Sequence, residues 1–315
     1  PLVGLNWYDE AGNLVATVAA GAKDLRTFTK SEYDGDGRNT ATYTTVYTGS
    51  LPPSYTDATT VTNSDRVFEQ TETAYDPAGN VTLTTNYSRF PDSSVVNKLT
   101  TSDARRYKTA TWYDGVGRQT ATADYGTSDE ARPSSPPPST DAVPVTLMHY
   151  NPAGRAFESV DLVGRVTHRE YDALGRVTAT IANYTGCGCP GNDTDVTVRQ
   201  AYDADGHLVR LTAENPTTGP QTTTYLYGVT PSASALASND LLAAVIYPDA
   251  VDGADRVTYA YNRQGQQTRI TDQNDTVREL IYDKLGRLTA DRVMEVGSGV
   301  DGTVRRLETA YDTRQ

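Results

Sequence analysis

One short signature, Asp or Asn followed by two variable residues, Gly and then a polar residue, begins at ten places in this sequence: Asp9, Asp34, Asp76, Asp114, Asn151, Asp161, Asp172, Asp203, Asn262 and Asp283. In nine copies a Tyr stands immediately before it, at Tyr8, Tyr33, Tyr75, Tyr113, Tyr150, Tyr171, Tyr202, Tyr261 and Tyr282, and Val160 takes that place before Asp161. Asp suits the first position of a type I turn. Gly at the fourth takes the left-handed conformation that closes a three-residue loop with a G1 bulge. Each copy therefore predicts two antiparallel strands meeting at a tight turn, and ten of them confine the chain to a fold built from repeated hairpins.

The copy Tyr171-Asp172-Ala173-Leu174-Gly175-Arg176-Val177 shows what the geometry demands. Residues flanking a three-residue loop face each other, so Asp172 is expected opposite Arg176 and Tyr171 opposite Val177. Side chains alternate faces along a strand, which assigns the Asp–Arg pair to one face and the Tyr–Val pair to the other. The residue after the Gly is Arg38, Arg118, Arg155, Arg165, Arg176 or Arg287 in six copies, and Asn13, Asn80, His207 or Gln266 elsewhere. The glycines themselves are Gly12, Gly37, Gly79, Gly117, Gly154, Gly164, Gly175, Gly206, Gly265 and Gly286. One residue further on, the Tyr-led copies carry Leu14, Asn39, Val81, Gln119, Ala156, Val177, Leu208, Gln267 and Leu288, six of nine apolar, as a packed Tyr-rich face needs. Exposed Asp–Arg pairs contribute only about 0–1 kcal/mol each, so they set register more than stability.

Spacing gives the connectivity. The interval from Tyr150 to Tyr171 is 21 positions with a turn at Asp161 between, and Tyr261 to Tyr282 repeats it with a degenerate turn at Asp272-Gln273-Asn274-Asp275. A turn about every ten residues predicts strands of six or seven and an antiparallel meander of about twenty strands. The expected organisation is all-β, a single domain over 1–315, with loop insertions near 49–65, 127–144, 185–195 and 229–240. The Pro- and Ser-rich stretch 127–144 and the stretch 49–65 are expected to be mobile or polyproline loops rather than folded domains, and deletion of 127–144 to be nearly silent. A buried strand is expected over 241–247. The chain opens on Pro1 and closes partway into a further copy at Tyr311-Asp312, so it is expected to be a piece of a longer protein.

Composition agrees with a solvated β-sheet. Apolar residues make up 37% of the 315, the formal net charge is −12, and Tyr (21) far outnumbers Phe (4) and Trp (2). An isoelectric point near 4.7 argues against nucleic acid and anionic membrane as partners, because binding phosphate requires clustered Lys and Arg.

Residues that invite chemistry were weighed against turn propensity. Cys187 and Cys189 lie one residue apart in a Gly- and Asn-rich loop, but a zinc site needs about four ligands, so a local disulfide or two thiols is expected. His149, His168 and His207 sit in or beside strands and turns of the repeat. Asp34-Gly35-Asp36-Gly37 and Asp203-Ala204-Asp205-Gly206 resemble the opening of a calcium loop, but turn propensity explains their Asp and Gly and no dedicated calcium site is expected. No nucleophile elbow or metalloprotease motif occurs, so no catalytic residue, no metal and no cofactor is expected. A carbohydrate module using the Tyr ladder is the weakest alternative.

The recurring Tyr-Asp-x-x-Gly-Arg, present as YDGDGR, YDGVGR and YDALGR and softened to YDEAGN, YDPAGN and YNPAGR, resembles the YD repeat of the RHS and teneurin families. The resemblance implies a strip of hairpins spiralling into a hollow shell, either a section of its wall or a complete container. In bacterial members the shell encloses a C-terminal toxic domain; in teneurins it serves as an extracellular adhesion scaffold. It thus implies a structural shell segment whose partners are other parts of its parent polypeptide or further copies of itself, with a cell-surface protein or glycan as a further possibility. A secreted or cell-surface bacterial protein is expected, and a scaffold, adhesin or self-assembling fibre is the alternative.

Overall fold

The computed structural model describes residues 4–18, 27–50, 53–188, 191–248 and 255–312. These residues form 21 strands and one short helix, and the chain divides into two compact units, Pro1–Arg165 and Val166–Gln315.

The first unit holds β1 (Leu5–Tyr8), β2 (Leu14–Val18), β3 (Thr27–Tyr33), β4 (Asn39–Tyr47), β5 (Asp65–Tyr75), β6 (Val81–Arg89), β7 (Ala104–Tyr113), β8 (Gln119–Gly126), β9 (Val145–Tyr150) and β10 (Ala156–Val160), with α1 (Tyr55–Thr59) between β4 and β5. Each strand pairs antiparallel with the next. A meander reverses at every connection, so odd-to-even connections share one end of the sheet and even-to-odd connections share the other. The turns opening at Asp9, Asp34, Asp76, Asp114 and Asn151 are all odd-to-even. They line one end. The copy at Asp161, which lacks the Tyr, follows β10 and belongs to the opposite end, where Ser139 donates to the Leu162 carbonyl at 2.8 Å. Strands beside the long insertions outrun the expected six or seven residues, β5 having 11 and β7 having 10, because no tight turn limits them there.

That second end carries every insertion of the unit, and of the two expectations, mobile or extended loops, the described residues of 127–144 take the extended one. The insertions fold back over one face of the sheet and bury it. Ala58 of α1 completes a cluster with Ala16, Val18, Phe28 and Tyr47. Val61 and Leu99, from consecutive insertions, pack with Ala41, Tyr43, Val67 and Ala104. Val143, at the end of the 127–144 stretch, joins Ala110, Trp112, Ala121, Ala123, Tyr125 and Val145. A sheet face with few large apolar residues of its own is thus closed by chain inserted between its strands.

Polar side chains on that face hold the insertions down. Lys30, 1% exposed, pairs with the fully buried Asp65 at 2.7 Å and also donates to the carbonyls of Asp57 and Thr60 at 2.6 and 2.8 Å. Asp65 in turn accepts from the Thr45 hydroxyl at 3.0 Å and from the Thr62 backbone N–H at 2.8 Å. Gln70, buried on β5, accepts from the Leu99 N–H at 2.7 Å and donates to its carbonyl at 3.3 Å, as a neighbouring strand would. Along β7, Arg106 donates to the Ser128 carbonyl at 2.8 Å, Lys108 to the Glu130 carbonyl, and Trp112 Nε1 to the Pro133 carbonyl at 3.1 Å. Alternate residues of one strand therefore grip successive carbonyls of the extended segment.

The second unit holds β11 (Val166–Tyr171), β12 (Val177–Ala182), β13 (Val196–Tyr202), β14 (Leu208–Ala213), β15 (Gln221–Val229), β16 (Ser238–Ile246), β17 (Arg256–Tyr261), β18 (Gln267–Thr271), β19 (Val277–Tyr282), β20 (Leu288–Glu295) and β21 (Arg306–Glu308), again paired in succession. The strand expected over 241–247 begins three residues earlier, at Ser238. The excursion before it folds back on β17: Ala235 donates its N–H to the Tyr261 carbonyl at 2.7 Å, and Ser234 accepts the Tyr261 N–H at 3.0 Å. The degenerate turn at Asp272 closes like the others, with Asp275 taking the left-handed place of Gly at φ 62°.

Candidate functional site

The feature that recurs across the molecule is the turn signature, and its geometry begins with the Asp. In the copy at Asp172, Gly175 donates its N–H to the Asp172 carbonyl at 3.0 Å, and Asp172 donates its own to the Arg176 carbonyl at 3.0 Å. Tyr171 pairs with Val177, with a bulge between Glu170 and Tyr171. The carboxylate then ties the loop from inside: Oδ1 accepts the Arg176 N–H at 2.9 Å and Oδ2 accepts Arg176 Nε at 2.7 Å. The same three-residue loop and the same bonds recur at Asp34, Asp114, Asp161 and Asp283. Where Asn262 replaces Asp, its amide donates to Gln266 Oε1 at 2.8 Å, so the polarity is reversed and the partner changes with it.

These contacts hold the turn carboxyls below the ordinary carboxylate range: at Asp172 the Arg176 side chain is the first cause, and at Asp34 the Arg38 backbone N–H. A depressed folded value means that the stabilisation is present above the unfolded value of about 3.9 and is lost as pH falls through the folded one.

Beyond its own loop, the signature joins hairpins to each other. The hydroxyls of Tyr33, Tyr75, Tyr150 and Tyr282 donate to the carbonyls of Leu14, Asn39, Gln119 and Gln267, at 3.0, 2.8, 2.9 and 2.8 Å. Each acceptor is the first residue of the preceding strand. Tyr311 does the same to Leu288 at 2.9 Å, and Tyr261 reaches Leu242 at 2.8 Å. In the opposite direction the guanidinium of one turn lies over the Tyr ring of the next hairpin: Arg38 over Tyr75 at 5.1 Å, Arg118 over Tyr150 at 4.5 Å, Arg176 over Tyr202 at 4.6 Å and Arg287 over Tyr311 at 4.3 Å. Alternation alone assigns Arg and Tyr to opposite faces. Across neighbouring hairpins the long guanidinium reaches round the turn and the two meet.

Gly has a second duty in this contact. A Cβ added at Gly154 would lie 3.2 Å from Arg118 Nη1, and one at Gly286 only 2.9 Å from Gln266 Nε2. The residue after each of these turns thus rests against the glycine of the next. Gly175→Val is expected to cost more than the roughly 1 kcal/mol usual for such substitutions, because φ is +89° and valine is β-branched. An unchanged melting temperature would remove the turn assignment. Tyr75→Phe deletes one hydroxyl bond while keeping the ring under Arg38, and is expected to cost about 0.5–1.5 kcal/mol. Trp fluorescence during urea unfolding measures it locally, since Trp7 and Trp112 both lie in the first unit.

The other candidates fall as follows. Among the described residues one group, Asp203, Asp205 and His207, brings potential ligand atoms within 4.8 Å of one another, but Asp203 already accepts the Asp205 and His207 backbone N–H bonds. At the other calcium-like turn the Arg38 guanidinium bridges Asp34 and Asp36 at 2.7 and 3.1 Å. Cys187 Sγ lies 3.1 Å from the Thr185 hydroxyl and 3.5 Å from Asp195 Oδ2; Cys189, and with it the disulfide expectation, lies outside the described residues. His149 contacts Glu158 at 3.2 Å, and His168 stacks on Tyr184 at 4.5 Å. The clamp residues Lys30, Gln70, Arg106 and Lys108 belong to no motif in the sequence. Nothing in an alternating strand marks an inward Lys from an outward one.

Hairpins tied end to end by a repeated Tyr hydroxyl and a repeated guanidinium define a repeat-built β-structure. Residues 261–298 match the RHS Repeat family, so the chain contains an RHS repeat, and the same turn and latch geometry extends beyond that segment. No curated protein matches. Among solved structures, a crystal structure of TcdB2-TccC3-TEV is similar at 15% identity and a TM-score of 0.34, with 92% of this chain and 16% of that one covered. A Tc holotoxin pore from Photorhabdus luminescens is similar at 14% identity and 0.32, covering 92% and 18%. A porin-like protein from Bacteroides uniformis is similar at 13% and 0.27, covering 71% and 87%. The chain therefore spans about one sixth of the first of these.

Proposed function

We propose that the chain is a non-enzymatic wall segment of a YD-repeat shell, one that encloses or presents another part of its parent polypeptide. The observation that carries this reading is the use of the signature. Tyr, Asp, Arg and Gly each bond within a turn or to the adjacent hairpin, as with Arg118, which ties Asp114 at 2.7 Å and lies over Tyr150 at 4.5 Å. Groups used this way build continuous wall rather than a row of ligand sites. The RHS repeat over 261–298 supports the same class. The partners on this reading are neighbouring segments of the parent chain, no cofactor is required, and the protein is bacterial and secreted or displayed at the cell surface. Electron microscopy of the purified protein in its native assembly tests it. Closed hollow particles with density inside are expected. Fibres or empty tubes would overturn it in favour of a self-assembling scaffold.

A further inference from the structure

The residue after the signature Gly is Arg, Asn or Gln in every copy but one, and none of these changes charge near neutrality. The exception is His207. Its ring stacks on Tyr227 with centroids 4.4 Å apart and planes 17° from parallel, the place a guanidinium takes over the next Tyr elsewhere. Nδ1 lies 2.9 Å from Asp203 Oδ2, within its own turn, and Nε2 lies 3.5 Å from Asp240 Oδ1, on β16. A neutral imidazole carries a single N–H and can donate to one of these carboxylates. Only the imidazolium can address both.

The surroundings favour that charge. Asp203 and Asp205 face it from the turn, Asp240 from β16 and the Tyr227 ring from β15, while Arg176 of the preceding hairpin donates to the Asp203 carbonyl at 3.2 Å. The group is local: His207 has a side chain 20% exposed, and Asp240, 80% exposed, has no other ion-pair partner among the described residues.

We propose that His207 is a protonation-dependent clasp fastening the start of β16 to the β13–β14 turn, closed when the imidazole is charged and open towards Asp240 when it is neutral. The Asp203 carboxylate, aided by Asp240 and Asp205, holds the imidazole above its ordinary value against the opposing pull of desolvation. With the folded value raised, the clasp contributes fully below the unfolded value of about 6.5 and is lost as pH rises through the folded value. Asp203 is held low, chiefly by His207 itself, so the turn end of the clasp stays charged through the range in which the imidazole titrates. Copies with Arg at this position have no such upper limit.

NMR titration of the intact chain tests this directly. His207 is expected to titrate above the value of a free imidazole, and Asp240→Asn is expected to lower its midpoint measurably. Amide exchange at 238–241, corrected for its intrinsic pH dependence, should speed up several-fold from pH 6 to pH 8.5. His207→Arg, which restores the residue used by the other turns, should keep the protection and remove the pH dependence. An unchanged His207 midpoint in Asp240→Asn, or undiminished pH dependence in His207→Arg, would overturn the clasp.

Discussion

Asp65→Ala should destabilise the first unit by about 3–5 kcal/mol, the usual consequence of leaving one member of a buried ion pair without the other. Lys30 would remain on the covered face, 1% exposed, with two backbone carbonyls but no countercharge. Burial already pushes the Lys30 ammonium below its ordinary value, and Asp65 is the main opposing influence. Removing the carboxylate also frees the Thr62 N–H and the Thr45 hydroxyl, so the insertion carrying α1 loses its anchor. Urea unfolding followed by Trp emission reads the effect within this unit. A paired replacement, Lys30→Met with Asp65→Leu, should recover the part of the loss that comes from the uncompensated charge, while the Thr62 N–H, the Thr45 hydroxyl and the Asp57 and Thr60 carbonyls stay without these partners. A loss below about 1 kcal/mol in Asp65→Ala would show that solvent reaches the pair, and would remove the clamp from the account of how the insertion is held.

The comparison between sequence and structure divides along the same line. Turn, register and connectivity were legible because they depend on residues adjacent in sequence. Asp172 and Gly175 fix their own loop, and the pairing of Tyr171 with Val177 follows from the loop length alone. The absence of Tyr before Asp161 also has a simple geometric counterpart, since that turn lies at the insertion end where no latch to a preceding hairpin is made by its neighbour Val160. The latch itself was half legible. Tyr at a fixed place in each hairpin was read as a packing residue, but its hydroxyl partner is a carbonyl, and every residue has one. Backbone acceptors leave no mark in a sequence.

What sequence could not show is the covered face. Lys30 meets Asp65 across 35 positions, and Gln70 meets Leu99 across 29. The first spans the intervening strand β4, and the second depends on where the chain inserted between β6 and β7 comes to rest. A Pro- and Ser-rich composition predicts little internal structure, and within 127–144 no strand forms. It does not follow that the segment is loose. An extended chain without regular hydrogen bonds offers its carbonyls to outside donors, and β7 supplies them in register with its own alternation.

The 127–144 stretch is therefore the second site of large effect, against the near-silent deletion its composition suggests. Replacing 128–139 by a Gly-Ser linker of equal length keeps the loop closure the same while removing Arg132, whose guanidinium lies 4.7 Å over Trp112 and donates to the Thr111 carbonyl at 3.0 Å. It also uncovers Trp112 and Tyr125, now 3% and 2% exposed. At about 1.5–3 kcal/mol for each large apolar side chain returned to water, the expected cost is roughly 3–6 kcal/mol. Trp112 should report it twice, by a lower urea midpoint and by emission shifted to the red in the native state. Trp112→Ala supplies the converse test: it keeps the strap but deletes what the strap covers, and should cost about 3–5 kcal/mol. If the linker variant kept both the midpoint and the emission maximum of the parent, the strap would be a passenger on the sheet, and the covered face would have to owe its stability to the strands alone.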